Sequence, residues 1–383
     1  MTAGTMRIAV IGGGPAGAEA ASRLAAGGAQ TILFDPSFDR EKPCGGGVPW
    51  RGLQEFDGLL GEGIPAADIR HVHFEGPSGG SASIKLPAPL RVFSRRTLDS
   101  HWAERAGRCG AMLRREKIVS VSRGDRFLVR TASGDQQVFD FVVGADGARS
   151  LVRATFARPF APEDLSQAIG YYVPGRTDDT LRLAFREDLH GYLWSFPRLD
   201  HLAVGACAPL APRSAARLRA AVERYLQRLD PGLDPSALPY YSALIPCLSS
   251  ASQARDRKAG PGWCLVGDAA GAVDPLTREG IYYGLKSAAL AAGAILRGRP
   301  EEYPDDWQAA CGGELRWASL RRERFFEPEL TDRLVRLLGA SAAVRKVMVD
   351  LVLGRQSYLT LKRRLLASAP AAAIEWVVHG WRF

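Results

Sequence analysis

Glycine and aspartate recur together at three places in this chain of 383 residues, and each place has the makings of a nucleotide-binding turn. The first is Met6-Arg7-Ile8-Ala9-Val10-Ile11-Gly12-Gly13-Gly14-Pro15-Ala16-Gly17, an apolar run that turns through glycines into a small-residue segment. Gly12 permits a tight turn out of a strand, Gly14 lets backbone amides approach a pyrophosphate, and Gly17 lets the following helix pack closely on a sheet. The helix N-terminus then faces the phosphates. Asp35 ends a second apolar run, Thr31 to Phe34, where its carboxylate can accept hydrogen bonds from ribose hydroxyls and disfavours a 2'-phosphate. A glycine-rich turn without a ligand is the plain alternative. Strand, helix and acid in one order argue against it.

The second place is Val143-Gly144-Ala145-Asp146-Gly147-Ala148-Arg149-Ser150 with Arg153 beyond it, and the third is Cys264-Leu265-Val266-Gly267-Asp268-Ala269-Ala270-Gly271, continuing through Pro275 to Gly280-Ile281. In each, an apolar strand delivers an aspartate into a glycine-flanked turn, where the carboxylate can accept from hydroxyls and nearby amides can meet phosphate oxygens. A nicotinamide dehydrogenase has no need of these extra anchors. Two further segments carry reactive or aromatic groups. Lys42-Pro43-Cys44-Gly45-Gly46-Gly47 sets a thiol beside backbone able to lie flat against a planar ring, or is a flexible loop with a buried cysteine. Tyr192, Trp194 and Phe196 alternate along a strand and share one face, which lines an apolar tunnel or is plain core.

Strand and helix signals alternate in the elements that must position these groups. Ile118 to Val121, Phe127 to Thr131 and Val138 to Val143, separated by polar turns, predict a small antiparallel meander that feeds back into the main sheet. Around Arg213 to Leu229, Leu218, Val222, Tyr225 and Leu226 fall on one face of an amphipathic helix. Strand-like runs on either side of it predict a separate sheet domain inserted into the nucleotide-binding one. After Pro300 the pattern is helical. Leu330, Leu334, Leu337, Val344, Val347, Met348 and Leu351 recur near helical spacing among Arg333, Arg336, Arg345 and Lys346, followed by Lys362, Arg363 and Arg364.

Composition bounds the rest. A hydrophobic content of 46% with 24% charged residues is that of a globular chain with room for two to three domains. No stretch reaches the ~18 to 20 apolar residues of a spanning helix. The N-terminal apolar segment lacks a basic leader and a cleavage signal, so a cytoplasmic protein is expected. Cys44, Cys109, Cys207, Cys247, Cys264 and Cys311 form no CxxC pair, which argues against a metal site or a disulfide framework. The net charge of +9 comes mainly from arginine, and no nucleic-acid-binding motif accompanies it. Partners are therefore expected among phosphorylated or membrane-borne molecules, not nucleic acid.

Taken together, the glycine-rich segment, Asp146-Gly147 and Gly267-Asp268 resemble the GxGxxG, DG and GD fingerprints of FAD-dependent enzymes of the p-hydroxybenzoate hydroxylase superfamily, over roughly residues 6 to 300. Lys42 to Gly47, Gly191 to Pro197 and Pro275 to Tyr283 further resemble the geranylgeranyl reductase family within it, with Arg278 standing where a glycine is usual. The resemblance implies an α/β fold, α+β in the second domain. It comprises a Rossmann-type FAD-binding domain (1–70, 91–160, 255–299), an inserted antiparallel-sheet substrate domain (71–90, 161–254) and a C-terminal helical region (300–383). It assigns Gly12, Gly14, Ala16, Gly17, Asp35, Cys44, Gly45, Gly47, Arg95, Asp146, Gly147, Gly267, Asp268, Pro275, Gly280 and Ile281 to FAD. Asp268 would hold the ribityl chain, Gly280 and Ile281 would meet the ring system through their backbone, and Arg95 would lean over the cofactor or be a solvated helix-start charge.

The implied activity is saturation of isolated double bonds in an isoprenoid lipid or prenylated substrate, which needs a hydride from reduced flavin and a proton on the other carbon. Cys44 leads the proton-donor candidates, with Tyr192, beside Trp194 in the aromatic segment, second; an ordered water is equally compatible. Without a second GxGxxG, reduction is expected from transient NAD(P)H contact, a ferredoxin or a quinol-linked donor. The basic C-terminal helices could rest on an anionic membrane at its inner face, or simply cap the catalytic domain. Competing readings are an FAD-dependent monooxygenase, a halogenase, for which Lys85 is the one approximate lysine, and a protein that holds FAD without turnover.

Overall fold

Runs such as Ile8-Ala9-Val10-Ile11 and Phe141-Val142-Val143 are apolar at every position, as strands covered on both faces must be. The computed structural model describes residues 6–56, 58–61 and 63–368, and these divide into two compact units.

The first unit comprises Met1–Lys42, Arg95–Leu165 and Leu244–Ser319. Its main sheet has the order β16 (Ala259–Gly260), β17 (Trp263–Leu265), β10 (Phe141–Gly144), β1 (Arg7–Ile11), β2 (Gln30–Phe34), β6 (Met112–Arg114). All neighbours run parallel except the edge strand β16. Helix α1 (Pro15–Ala26) leaves β1 through the glycines and packs against α4 (Arg95–Arg108) and α8 (Ile281–Leu296). Glu19 on α1 is fully buried; its carboxylate accepts from Arg23, Arg105 and Trp102 Nε1, which ties α1 to α4. The predicted meander is β7 (Ile118–Arg123), β8 (Phe127–Thr131) and β9 (Gln136–Phe139), and it leads into β10. Helices α5 (Leu151–Phe156), α7 (Ser250–Arg255), α9 (Tyr303–Trp307) and most of α10 (Gly313–Phe325) complete the unit.

The second unit comprises Pro43–Ser94, Ser166–Ala243 and the chain from Leu320. Its eight-stranded sheet has the order β15 (Tyr240–Pro246), β11 (Leu165–Pro174), β14 (His201–Pro209), β13 (Leu189–Pro197), β12 (Thr180–Arg186), β4 (Ala66–Glu75), β5 (Ser81–Phe93), β3 (Gly47–Val48). The pairings β11–β14, β14–β13, β13–β12, β4–β5 and β5–β3 are antiparallel, and β12–β4 is parallel. Helix α6 (Ser214–Leu229) lays Leu218, Val222, Tyr225 and Leu226 on Leu189, Leu193 and Val204, so the predicted apolar stripe is the contact. Helices α2 (Trp50–Glu55) and α3 (Gly58–Gly61) precede β4, and α11 (Pro328–Ala340), α12 (Ala342–Val352) and α13 (Tyr358–Ser368) close the described chain.

These boundaries differ from those read in the sequence. Residues 43–70 belong to the second unit because β3 and β4 both pair with β5. The helical region is divided: Val335 and Leu338 of α11 and Leu353, just past α12, are buried against Ile84, Leu86 and Val92 of β5, whereas residues up to Ser319 stay with the first unit.

Candidate functional site

In the first unit the glycine turn is fixed by close contact. A Cβ at Gly17 would lie 1.8 Å from the Gly12 carbonyl oxygen, and one at Gly12, whose φ is +106°, would lie 2.2 Å from the Ala145 oxygen. Asp35 is 3% exposed, and its carboxylate accepts from the Gly13 N–H at 2.7 Å and the Ser37 N–H at 2.9 Å. Gly13, a position the fingerprint leaves open, is also confined: a Cβ there would meet the Phe38 ring at 2.5 Å. At the start of α1, Gly14 faces cations, with Lys42 Nζ 3.0 Å from where its Cβ would be.

Both cations of that wall pair with Asp99. Arg95 makes two hydrogen bonds to buried Asp99, Nε at 2.8 Å and Nη2 at 3.0 Å, and Lys42 Nζ lies 3.1 Å from the same carboxylate. Lys42 and Arg95 thus stand beside the amino end of α1, whose dipole has the same sign as their charge. Arg95 is therefore an enclosed, paired group and not a solvated helix-start charge. Glu41 holds the start of α4 by accepting from the Arg95 and Arg96 N–H groups.

Asp146 and Asp268 play different parts. The Asp146 carboxylate accepts from the Leu151 N–H at 2.6 Å, the Val152 N–H at 3.3 Å and the Ser150 hydroxyl, so it caps α5. The carboxylate thereby ties the turn at Asp146-Gly147 to the start of α5. Burial pushes its pKa up, opposed by those hydrogen bonds. Gly147 has φ +81°, which the turn before the cap requires. Asp268 follows Gly267, whose φ is +60° and whose Cβ would lie 2.8 Å from the Cβ of Ala16. Among the described residues no hydrogen-bond donor reaches the Asp268 carboxylate. Burial raises its pKa, while nearby Arg95 and Lys42 lower it. Gly280 sits beside it, its Cβ position 3.3 Å from Oδ1, at the point where Ile281 opens α8. Pro275 is buried and its carbonyl accepts from the Cys247 thiol at 3.6 Å. Arg278, in the usual glycine position, has φ +61°.

In the second unit the loop at Cys44 and the aromatic strand β13 meet. The Phe196 ring covers the loop backbone: a Cβ would lie 3.2 Å from it at Gly45 and 2.6 Å from it at Gly47. The planar ring that the glycines lie against is therefore also this chain's own. Cys44 Sγ accepts from the Gly46 N–H at 3.2 Å, and Gly46 has φ +82°. Trp194, 5% exposed, lies on Gly205 with a Cβ position 2.5 Å from its ring. Tyr192 is half-buried, 5.8 Å from Trp194 and stacked at 6.4 Å on Phe326. Arg198, which sequence reasoning missed, is fully buried and donates to the Cys44 carbonyl at 2.7 Å. Lys85 is exposed on β5.

The basic C-terminal helices are partly committed within the unit. Arg336 pairs with Asp332, Arg364 with Asp350, and Arg345 donates to the Gly339 carbonyl at 2.7 Å at the end of α11. Arg333, Lys346 and Arg363 are exposed. No helix among the described residues is long and apolar enough to cross a membrane.

The turn at Gly12 to Gly17, the cations beside Gly14 and the donor-free acceptor at Asp268 fit FAD, whose pyrophosphate is anionic and whose ribityl chain is a row of hydroxyl donors. With the parallel sheet, they define an FAD-dependent oxidoreductase. The model of the family "Glucose inhibited division protein A" matches residues 7–76. Menaquinone reductase of Mycobacterium tuberculosis (strain ATCC 25618 / H37Rv) is 33% identical over 312 residues, 74% of this chain and 75% of that protein. Chloroplastic geranylgeranyl diphosphate reductase of Oryza sativa subsp. japonica is 29% identical over 379 residues, 90% of this chain and 78% of that protein. The solved geranylgeranyl bacteriochlorophyll reductase-like protein of Thermoplasma acidophilum superposes with a TM-score of 0.77 at 21% identity, covering 97% of this chain and 98% of that one. The chain belongs to the geranylgeranyl reductase family of FAD-dependent oxidoreductases.

Proposed function

We propose that this enzyme saturates carbon-carbon double bonds of a polyprenyl chain, on a diphosphate or a quinone head group. The observation that carries the reading is the joining of the two motifs in the second unit, where Phe196 of the aromatic strand covers the Gly45 and Gly47 backbone and Arg198 holds the Cys44 carbonyl. When bound, FAD supplies the hydride in its reduced form. The rest falls to the chain. Gly12, Gly14, Ala16 and Gly17 shape the turn for the pyrophosphate, Lys42 and Arg95 neutralise it, Asp35 accepts from ribose and Asp268 from the ribityl chain. Pro275, Gly280 and Ile281 present backbone to the ring system, and Asp146 and Gly147 shape the turn before α5 at the ADP end. Tyr192, Trp194 and Phe196 provide an apolar, water-excluding surface for the isoprenoid. Cys44 is the proton donor to the second alkene carbon, and Tyr192 is next in line.

Electrons arrive by transient contact with NAD(P)H or a ferredoxin. The enzyme is cytoplasmic and touches the inner face of the membrane through Arg333, Lys346 and Arg363, which leaves it bound to anionic vesicles at low salt and released at high salt. The test is anaerobic: dithionite-reduced enzyme is mixed with geranylgeranyl diphosphate or menaquinone. Flavin reoxidation without oxygen is expected. Reoxidation that waits for oxygen would favour a monooxygenase.

A further inference from the structure

The Cys44 carbonyl and the Cys44 thiol are held separately, and the carbonyl is held by a residue from the strand end that follows Phe196. Arg198 is 1% exposed, and its Nη2 lies 2.7 Å from the Cys44 oxygen. A guanidinium withdrawn from water is costly unless its donors are met, so its hydrogen bond to the Cys44 carbonyl is more than packing. Its own backbone is pinned at both polar groups. The Arg198 N–H donates to the His201 carbonyl at 2.8 Å, and its carbonyl accepts from the Thr177 hydroxyl at 2.7 Å. The Tyr172 ring lies 5.4 Å from the guanidinium carbon.

The loop is equally constrained from its other side. Gly46 donates its N–H to Cys44 Sγ at 3.2 Å, and its carbonyl accepts from the Phe93 N–H at 2.9 Å. With φ at +82° and a Cβ position 2.2 Å from the Phe93 oxygen, Gly46 has no room for a side chain. Arg198 Nη2 lies 3.4 Å from that same position. The direction of the thiol is thus set by a carbonyl on Arg198 and an amide fixed to β5.

We propose that Arg198 is the positioning residue of the Cys44 loop, aiming the thiol by holding the carbonyl of the same residue. The inference rests on the proposed role of Cys44. A lysine reaches one acceptor as a point charge but lacks the planar fork, so it substitutes only in part.

The test uses Arg198→Gln and Arg198→Lys, purified with FAD bound. One readout is the alkylation rate of Cys44 by iodoacetamide, resolved by peptide mass spectrometry from that of half-buried Cys109. The other is reoxidation of the dithionite-reduced enzyme by geranylgeranyl diphosphate. Misplacement of a reacting group by about 1 Å costs on the order of 100-fold. Arg198→Gln is therefore expected to slow reoxidation by about 10- to 100-fold and to change Cys44 alkylation by about 10-fold, with Cys109 unaffected and Arg198→Lys intermediate. Cys44 alkylation within about twofold of the parent in both variants overturns the inference. Loss of folding in both overturns it too, since Arg198 would then be a packing residue. A parent enzyme that geranylgeranyl diphosphate does not reoxidise refutes the substrate reading, yet an altered Cys44 alkylation rate would still support the positioning role.

Discussion

Arg153 donates to the carbonyl of Ala269 at 3.1 Å, so the arginine of one aspartate-glycine turn holds the backbone of the other. The clamp extends further. Arg153 Nη2 and Lys258 Nζ both pair with Asp256, and Lys258 also donates to the Ala270 carbonyl at 2.9 Å. Two consecutive carbonyls after Asp268 are thus fixed by one buried ion cluster. Asp256→Ala leaves two enclosed cations uncompensated, at a cost of about 3 to 5 kcal/mol. Urea unfolding should show the lowered midpoint; a midpoint equal to the parent's would mean that the cluster is inert.

The same aspartate gives a pH signature. Burial would raise its pKa, but Lys258 and Arg153 outweigh burial and hold it below the ordinary value of 3.8. A carboxylate whose folded pKa lies below its unfolded one stabilises above the unfolded value and loses that contribution as pH falls through the folded one. The stability gap between the parent and Asp256→Asn is expected to be full at about pH 6 and to narrow below pH 4. Chemical denaturation across that range measures it, and a gap that widens on acidification contradicts the assignment.

Gly17→Ala should cost the protein its cofactor. The added methyl would lie 1.8 Å from the Gly12 oxygen, forcing α1 away from the turn. Overpacking of this kind costs about 1 to 3 kcal/mol in a core. The FAD-to-protein ratio after gel filtration should fall well below that of the parent. Full occupancy would mean that α1 can shift without disturbing the turn.

Arg278 offers a stabilising change. Its φ of +61° is a left-handed conformation that costs an L-residue roughly 1 to 2 kcal/mol. Arg278→Gly is expected to be more stable than Arg278→Ala by about 1 kcal/mol, the comparison that removes the side chain from both. Equal thermal midpoints would show that the backbone relaxes out of the left-handed region.

Replacing Cys44 separates chemistry from packing. With the thiol as proton donor, Cys44→Ala should retain FAD and lose about 100-fold or more in turnover. Unchanged turnover would return the thiol to a packing role.

Much of this was legible in the sequence because it is local. The glycines at 12, 14 and 17 and the stripe on α6 each carry their signal within a few neighbouring residues. The capping part of Asp146 also has a local signal, since Ser150 and the start of α5 at Leu151 lie within five residues of it. Other features depend on pairings between distant segments. Nothing near Pro43 announces that β3 joins β5, which moves residues 43–70 into the second unit. Arg198 is one arginine among many until the fold brings it to the Cys44 carbonyl, 154 residues away.

On the proposed function, reduced flavin in this enzyme delivers hydride to an isoprenoid double bond. Anaerobic single turnover with geranylgeranyl diphosphate, followed by mass spectrometry of the lipid, decides whether it does. A product heavier by one hydrogen pair for each FAD reoxidised is expected. An unchanged lipid under these conditions, with an oxygenated or halogenated product once oxygen is admitted, would contradict it.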